Sequence, residues 1–206
     1  MRFTHYKPHP WHGIQIGKDA PETVIAYIEM VPTDTVKYEI DKASGYRKVD
    51  RPQKFSNITP ALYGFIPQTY CDQKIAEFAR TKTDLEVLKG DGDPLDICVI
   101  TERIITSGDI ILEAVPIGGF RMIDKGEADD KIIAVLKQDE IYGKLRDITE
   151  CPQPLLNRLK HYFLTYKSIP GSDTANQVQI TAMYNREEAL EVIKCSMEDY
   201  KNLIHQ

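Results

Sequence analysis

The chain has 206 residues, 42% of them hydrophobic and 28% charged, proportions of an ordinary globular protein with length enough for one sizeable core. Its formal net charge is −5, from 31 acidic and 26 basic residues, which argues against nucleic acid or an anionic membrane as a partner. No apolar run approaches the roughly 20 residues of a membrane-spanning helix. No apolar leader follows Met1, and Cys71, Cys98, Cys151 and Cys195 form no C-x-x-C pair. The expectation is a single cytoplasmic domain over 1–206 with reduced, mostly buried thiols.

Residues 1–22 are rich in Pro, His and Gly and read as an arm on the body. His5, His9 and His12 lack an acid or Cys at ligand spacing, so a polar arm is preferred to a metal site. Val24 to Ile28 and Val36 to Ile40 read as strands, the second with apolar and polar residues alternating. Asp41 to Gly45 reads as a turn and Tyr46 to Val49 as the returning strand of a hairpin. Tyr63-Gly64 falls in a Pro-flanked loop. Residues 72–89 are charged and weakly periodic, which predicts a peripheral excursion, either a long loop or a hairpin. Apolar strands follow at Leu95 to Thr101, at Ile110 to Ile117 ended by Gly118-Gly119, and at Lys131 to Leu136. Leu155, Leu159, Tyr162, Phe163 and Tyr166 fall at helical spacing after Pro152 and Pro154. Val178 to Tyr184 reads as a late strand. Glu187 to Leu203 reads as a second amphipathic helix, with Leu190, Ile193, Met197, Tyr200 and Ile204 in one stripe. Many short strands followed by two main helices predict a mainly β fold, a small closed barrel with helices outside.

The sharpest chemical signal is Asp91-Gly92-Asp93-Pro94-Leu95-Asp96. Carboxylates packed this densely repel one another unless cations hold them together. A plain strand would set Asp91 and Asp93 opposite Asp96. Gly92 and Pro94 break that regularity, so a turn can aim all three at one point, with the apolar run from Ile97 anchoring it. A second acidic cluster, Asp124-Lys125-Gly126-Glu127-Ala128-Asp129-Asp130-Lys131, also sits between apolar strands. Alone it would be a charged hairpin turn. Together the two clusters point to a shared site for several hard cations. Oxygen-only ligands favour Mg²⁺, with Mn²⁺ as a substitute. Lys37 and Glu39 share a strand face, Arg51 follows a hairpin, and Tyr166-Lys167 ends a helix. With Tyr63 they supply what a phosphate site requires, a fork donor and point charges.

The acidic hexapeptide resembles the signature of family I soluble inorganic pyrophosphatases. The resemblance continues through Lys37-Tyr38-Glu39-Ile40-Asp41-Lys42, Val49-Asp50-Arg51, Tyr63-Gly64, Gly126-Glu127 with Asp129 and Lys131, and Tyr166-Lys167. It implies an OB-like five-stranded closed barrel with the site in its mouth, pyrophosphate as substrate, and several Mg²⁺ ions per site. By matching motifs it implies that Asp91, Asp96 and Asp129 hold the first metal and that Asp96 bridges to a second. Asp124 and Asp129, helped by Glu39 and Glu29, would take metals arriving with substrate. Lys37, Arg51, Tyr166 and Lys167 would grip phosphate, and Lys131 would neutralise the acids or touch phosphate. Asp93 would act on the attacking water, with Tyr63 bordering the site. Bacterial-sized members suggest a homohexamer, with a dimer as alternative. Two positions depart from the usual pattern: two residues rather than one separate Glu29 from Pro32, and Thr59 rather than an aromatic precedes Pro60.

Two other readings are weaker. A metal phosphohydrolase acting on nucleotides or polyphosphate would share the acidic site, but no base-stacking pocket is evident. A nucleic-acid binder built on an OB fold needs a basic groove with stacked aromatics, and the acidic balance disfavours it.

Overall fold

The computed structural model describes residues 7–84, 88–167, 169 and 178–205. His5 and residues 85–87 of the charged stretch lie outside these. Five strands close into a ring: β1 (Val24–Met30), β4 (Leu62–Phe65), β6 (Asp96–Ile100), β9 (Lys131–Leu136) and β7 (Ile110–Asp124), which pairs back onto β1. All these pairings are antiparallel except β6–β9. β10 (Val178–Asn185) adds to β7, while β2 (Val36–Ile40) and β3 (Arg47–Pro52) form a separate hairpin. Two short strands, β5 (Lys89–Gly90) and β8 (Glu127–Ala128), extend the sheet beyond β7. The mainly β expectation and the ring of five strands hold.

The apolar runs of β6 and β9 are unbroken because both of their faces are covered. Ile97, Val99, Ile132 and Ala134 join one apolar cluster, with Ile75, Val192 and Ile193 of the helices packed into it. Cys98, Ile100, Ile133 and Val135 join another, under Leu159 and Phe163. Period-2 alternation therefore puts Asp96 and Lys131 on the second face, beneath the helix that carries Tyr166.

Helix α2 (Gln153–Thr165) starts behind Pro152 and buries Leu156, Leu159, Tyr162 and Phe163. Helix α3 (Arg186–Ile204) is capped by the Asn185 side chain, which accepts from Glu188 N at 3.0 Å; such a bond satisfies one of the free amides of the first turn. Leu190, Ile193 and Tyr200 of its predicted stripe are buried, but Ile204 is exposed. None of the described helices is long and apolar enough to cross a membrane.

Three expectations are corrected. Residues 73–82 are neither loop nor hairpin but a helix, α1 (Gln73–Lys82), so the described residues hold three α-helices rather than two. Its buried Ile75, Ala76 and Ala79 form a narrow stripe that packs against α3. Gly118-Gly119 does not end a strand: β7 runs straight through it. The glycines let β10 approach, since a Cβ at Gly118 would fall 2.5 Å from Tyr184 O and one at Gly119 2.4 Å from the Tyr184 ring. Tyr63-Gly64 is strand β4 rather than loop. In the arm, Trp11 is buried and its Nε1 donates to Thr69 O at 2.7 Å.

Candidate active site

The turn between β5 and β6 is held from several directions. Gly92 takes a positive φ of 73°, and Asp91 Oδ1 accepts from Asp93 N at 3.0 Å, the side-chain-to-backbone bond of an Asx turn. Gly92 N donates to Cys71 O at 3.0 Å and Cys71 N donates to Asp93 O at 2.9 Å. Leu95 N donates to Thr69 Oγ1 at 2.9 Å. The turn is thus fixed to a neighbouring segment before any cation is considered.

Strand register then assembles the rest. The parallel pair β5–β8 sets Gly90 against Ala128, so the next residues, Asp91 and Asp129, come side by side. The β7–β8 hairpin turns at Lys125 and Gly126, both at positive φ, as a two-residue hairpin loop requires. That turn sets Asp124 opposite Glu127. The pair β6–β9 sets Asp96 against Lys131. The Lys131 ammonium touches both Asp96 and Asp129, and Tyr63 Oη donates to Asp96 Oδ2 at 2.6 Å. On the β2–β3 hairpin Lys37 faces Arg51. Lys37 Nζ lies 3.0 Å from Asp50 and 3.1 Å from Glu39, and Arg51 pairs with Asp50. From the end of α2, Lys167 reaches Asp124 while the Tyr166 ring stacks on Tyr162.

Every side chain that the sequence reading gave a role at the site lines one cavity of about 600 Å³. Asp91, Asp93, Asp96, Asp124, Asp129, Glu29 and Glu39 form its acidic side. Lys37, Arg51, Lys131 and Lys167 supply positive charge, and Tyr63 and Tyr166 supply phenols. Asp41, Lys42, Lys48 and Glu127 also line it and had been given no role. Lys48 could have been found as the cross-strand partner of Glu39. Lys42 has no such signal: its ammonium meets Asp93 only because the turn after β2 folds over the acidic turn. Glu29 and Asp129 are buried, and Glu29 Oε1 accepts from Ile40 N at 2.7 Å.

Burial dominates the electrostatics. It raises the Glu29 carboxyl to about 8, opposed by the Ile40 hydrogen bond and reinforced by Asp96. Burial, with Asp129 next, raises Asp91, and burial raises Asp129 against the pull of Lys131. The Tyr63 phenol is pushed well above its ordinary value by burial and by Asp96, so it remains a hydrogen-bond donor. For Lys37, burial works against the charge, but Asp50 and Glu39 outweigh it and raise the ammonium.

These residues fit hard cations. The donors are all oxygens, the preference of Mg²⁺, Ca²⁺ and Mn²⁺. Asp124 Oδ1 is buried with no hydrogen-bond partner, a costly state that a ligand would relieve. No three carboxylates among the described residues stand as a ready-made cage; the ammonium groups of Lys131, Lys167 and Lys42 rest on them instead.

Comparison with known proteins agrees with this geometry. The family profile described as Inorganic pyrophosphatase matches residues 26–201. An inorganic pyrophosphatase of Chlamydia muridarum is 51% identical over 198 residues, covering 95% of each chain. A soluble inorganic pyrophosphatase of Oryza sativa subsp. indica is 37% identical, over 97% of this chain and 83% of its own. Among solved structures, the inorganic pyrophosphatase from Thermus thermophilus superposes with a TM-score of 0.77 at 28% identity, over 95% of this chain and 99% of its own. With the profile spanning most of the chain and the acidic strand ends gathered at one cavity, the chain belongs to the inorganic pyrophosphatase family, the hydrolases that split pyrophosphate into two phosphates.

Proposed function

We propose that this cavity hydrolyses pyrophosphate with Mg²⁺ held by Asp91, Asp96 and Asp129, and with further ions taken by Asp124, Glu39 and Glu29. The family is metal-dependent, and Mg²⁺ is our assignment from the all-oxygen donor set. When bound, such ions supply positive charge against the phosphates and acidify water. The observation that carries the reading is the register itself: β5–β8 and β6–β9 bring two acidic clusters, separate in sequence, to one cavity wall facing Lys37, Arg51 and Lys167.

The chain's own groups divide the work. Asp93, half-exposed at the tip of its turn, accepts the proton of the attacking water. Tyr63 fixes the orientation of Asp96 through its hydroxyl. Arg51 and Lys37, on paired strands, grip one phosphate as fork and point charge. Lys167, Tyr166 and Lys131 meet charge developing on the other. No nucleophilic Ser or Cys is required. The resemblance further supports a cytoplasmic homo-oligomer, hexamer or dimer, which light scattering would read directly.

The test is phosphate release from pyrophosphate with and without Mg²⁺, run beside ATP and tripolyphosphate. Faster turnover of ATP than of pyrophosphate would replace this reading with the nucleotide phosphohydrolase.

A further inference from the structure

Helix α1 was invisible in the sequence, and it lies directly behind the acidic turn. Its own N-terminus is poorly provided for: Asp72 makes no side-chain cap, and its first turn carries no acid. The cap comes from α3 instead. Asp199 Oδ2 accepts from Asp72 N at 3.0 Å and from Ile75 N at 3.1 Å, and Oδ1 accepts from Lys74 N at 2.9 Å. Asp199 is only 3% exposed, so these amides replace water as its partners. Two residues before the first capped amide, Tyr70 N donates to Ser196 O at 3.0 Å. The segment 70–75 is therefore fastened to α3 on both sides of Cys71.

Cys71 holds the acidic turn with two backbone bonds, through Gly92 N and Asp93 O. The other end of α1 holds the strand leading into that turn. Arg80 Nε and Nη2 donate to Leu88 O at 3.3 and 3.0 Å, immediately before β5. Between the two grips, β5 passes so close to Cys71 that a Cβ at Gly90 would fall 2.2 Å from Cys71 O. The continuous path runs from the Asp199 carboxylate through the amides of 72–75 to Cys71, and from Cys71 to Asp91 and Asp93.

We infer that α1 is a clamp on the acidic turn and that Asp199 is a positioning residue for it, setting cation affinity without touching cation or substrate. The inference rests on the proposed role of Asp91 and Asp96 as cation holders. Carboxylates bind a small hard cation well only when their spacing is fixed beforehand, and groups outside the ligand set commonly provide that fixing. Removing Asp199 frees the start of α1, so Cys71 and the turn keep only the Tyr70–Ser196 bond of their two fastenings to α3.

The experiment measures equilibrium Mn²⁺ binding to substrate-free protein, the Mg²⁺ dependence of phosphate release, and thermal unfolding. It uses wild type, D199A, D199N, R80M and D96N. D199A should weaken Mn²⁺ binding about tenfold or more, the usual scale for losing a group that orients ligands. The Mg²⁺ requirement should rise in step, while turnover at saturating Mg²⁺ stays near wild type. D199N keeps one acceptor oxygen and should fall between. R80M, which releases the other end of the clamp, should shift affinity in the same direction. Should D199A fail to fold, D199N and R80M carry the same test. Variants that melt earlier yet bind Mn²⁺ as wild type would reduce Asp199 to a helix cap and overturn the inference. Unchanged Mn²⁺ binding in D96N would instead remove the cation reading itself, and the inference with it.

Discussion

Lys131 and Asp96 are direct partners across the one parallel pair of the ring, and the Lys131 ammonium lies between Asp96 and Asp129. The side chain is 2% exposed, so this is a buried cation serving two carboxylates. Removing it while the acids stay leaves charge without compensation, which typically costs about 3–5 kcal/mol. K131M should lose stability on that scale in urea unfolding with EDTA present. A loss under about 1 kcal/mol, the range of surface pairs, would mean that water already solvates the site.

The raised carboxyls make a pH prediction of definite sign. Glu29 has an ordinary value of 4.5 and is raised to about 8 in the folded chain, first by burial. Between those values the folded state keeps a proton that the unfolded state has lost. Stability of the metal-free protein therefore falls as pH rises through that window and levels off above it. Asp91 and Asp129, also raised, act in the same direction. Asp139 and Asp147 are net lowered, because hydrogen bonds outweigh burial. Their contribution is complete above the ordinary carboxylate range; across pH 6–8 the raised groups are opposed by His12, lowered by burial and then by His9, whose effect ends near its ordinary value of 6.5. Melting temperature in EDTA should decline across that interval, less steeply in E29Q. With Mg²⁺ the decline should shrink or reverse, since binding displaces those protons. A metal-free melting temperature that climbs from pH 6 to 8 would contradict the burial argument.

Arg51 belongs to the phosphate grip, whereas Arg103 is a surface residue with an 86% exposed side chain. R51A should lower kcat/KM for pyrophosphate by about 10²-fold, the scale of losing a placed donor to developing charge. R103A should leave it unchanged. Equal rates for R51A and wild type would take Arg51 out of the site.

What the sequence disclosed follows from where its signals are local. Alternation and apolar runs located β1, β6, β9 and β10, which bury much of one or both faces, and β2, where the alternation shows although only Ile40 is buried. The acidic turn was legible because its chemistry sits within six residues. Helix α1 was not: only Ile75, Ala76 and Ala79 of it are buried, and its N-terminal cap, Asp199, lies 127 residues from Asp72. The course of β7 was hidden for a related reason. Gly118 and Gly119 read locally as a stop, and the distant Ile148 and Tyr184 explain them. Cys98 shares the buried face of β6 with Asp96, is 1% exposed, and burial pushes its thiol up. Thiolate is the reactive form, so thiol reagents should not act through Cys98, and any inhibition should persist in C98S.

Asp93 separates base from ligand in this site. It lies between Asp91 and Asp96 in sequence, yet its environment differs from theirs. Asp96 is tied to Tyr63 and Lys131, and Asp91 accepts from the backbone of its own turn. The Asp93 carboxylate is half-exposed and meets the ammonium of Lys42, itself 55% exposed. A carboxylate so placed can take a proton from water and release it to solvent. Asn at this position keeps the size and one acceptor oxygen but loses the charge and most of the basicity. D93N should therefore lower turnover at saturating Mg²⁺ by about 10²-fold or more, the scale of general-base loss. Its Mn²⁺ affinity should change less than that of D96N, which removes an assigned cation ligand. Single-turnover cleavage of pyrophosphate across pH, with Mn²⁺ titration of both variants, decides between the roles. If D93N bound Mn²⁺ as weakly as D96N but kept its rate once saturated, Asp93 would be a ligand and the base would lie elsewhere on the cavity wall.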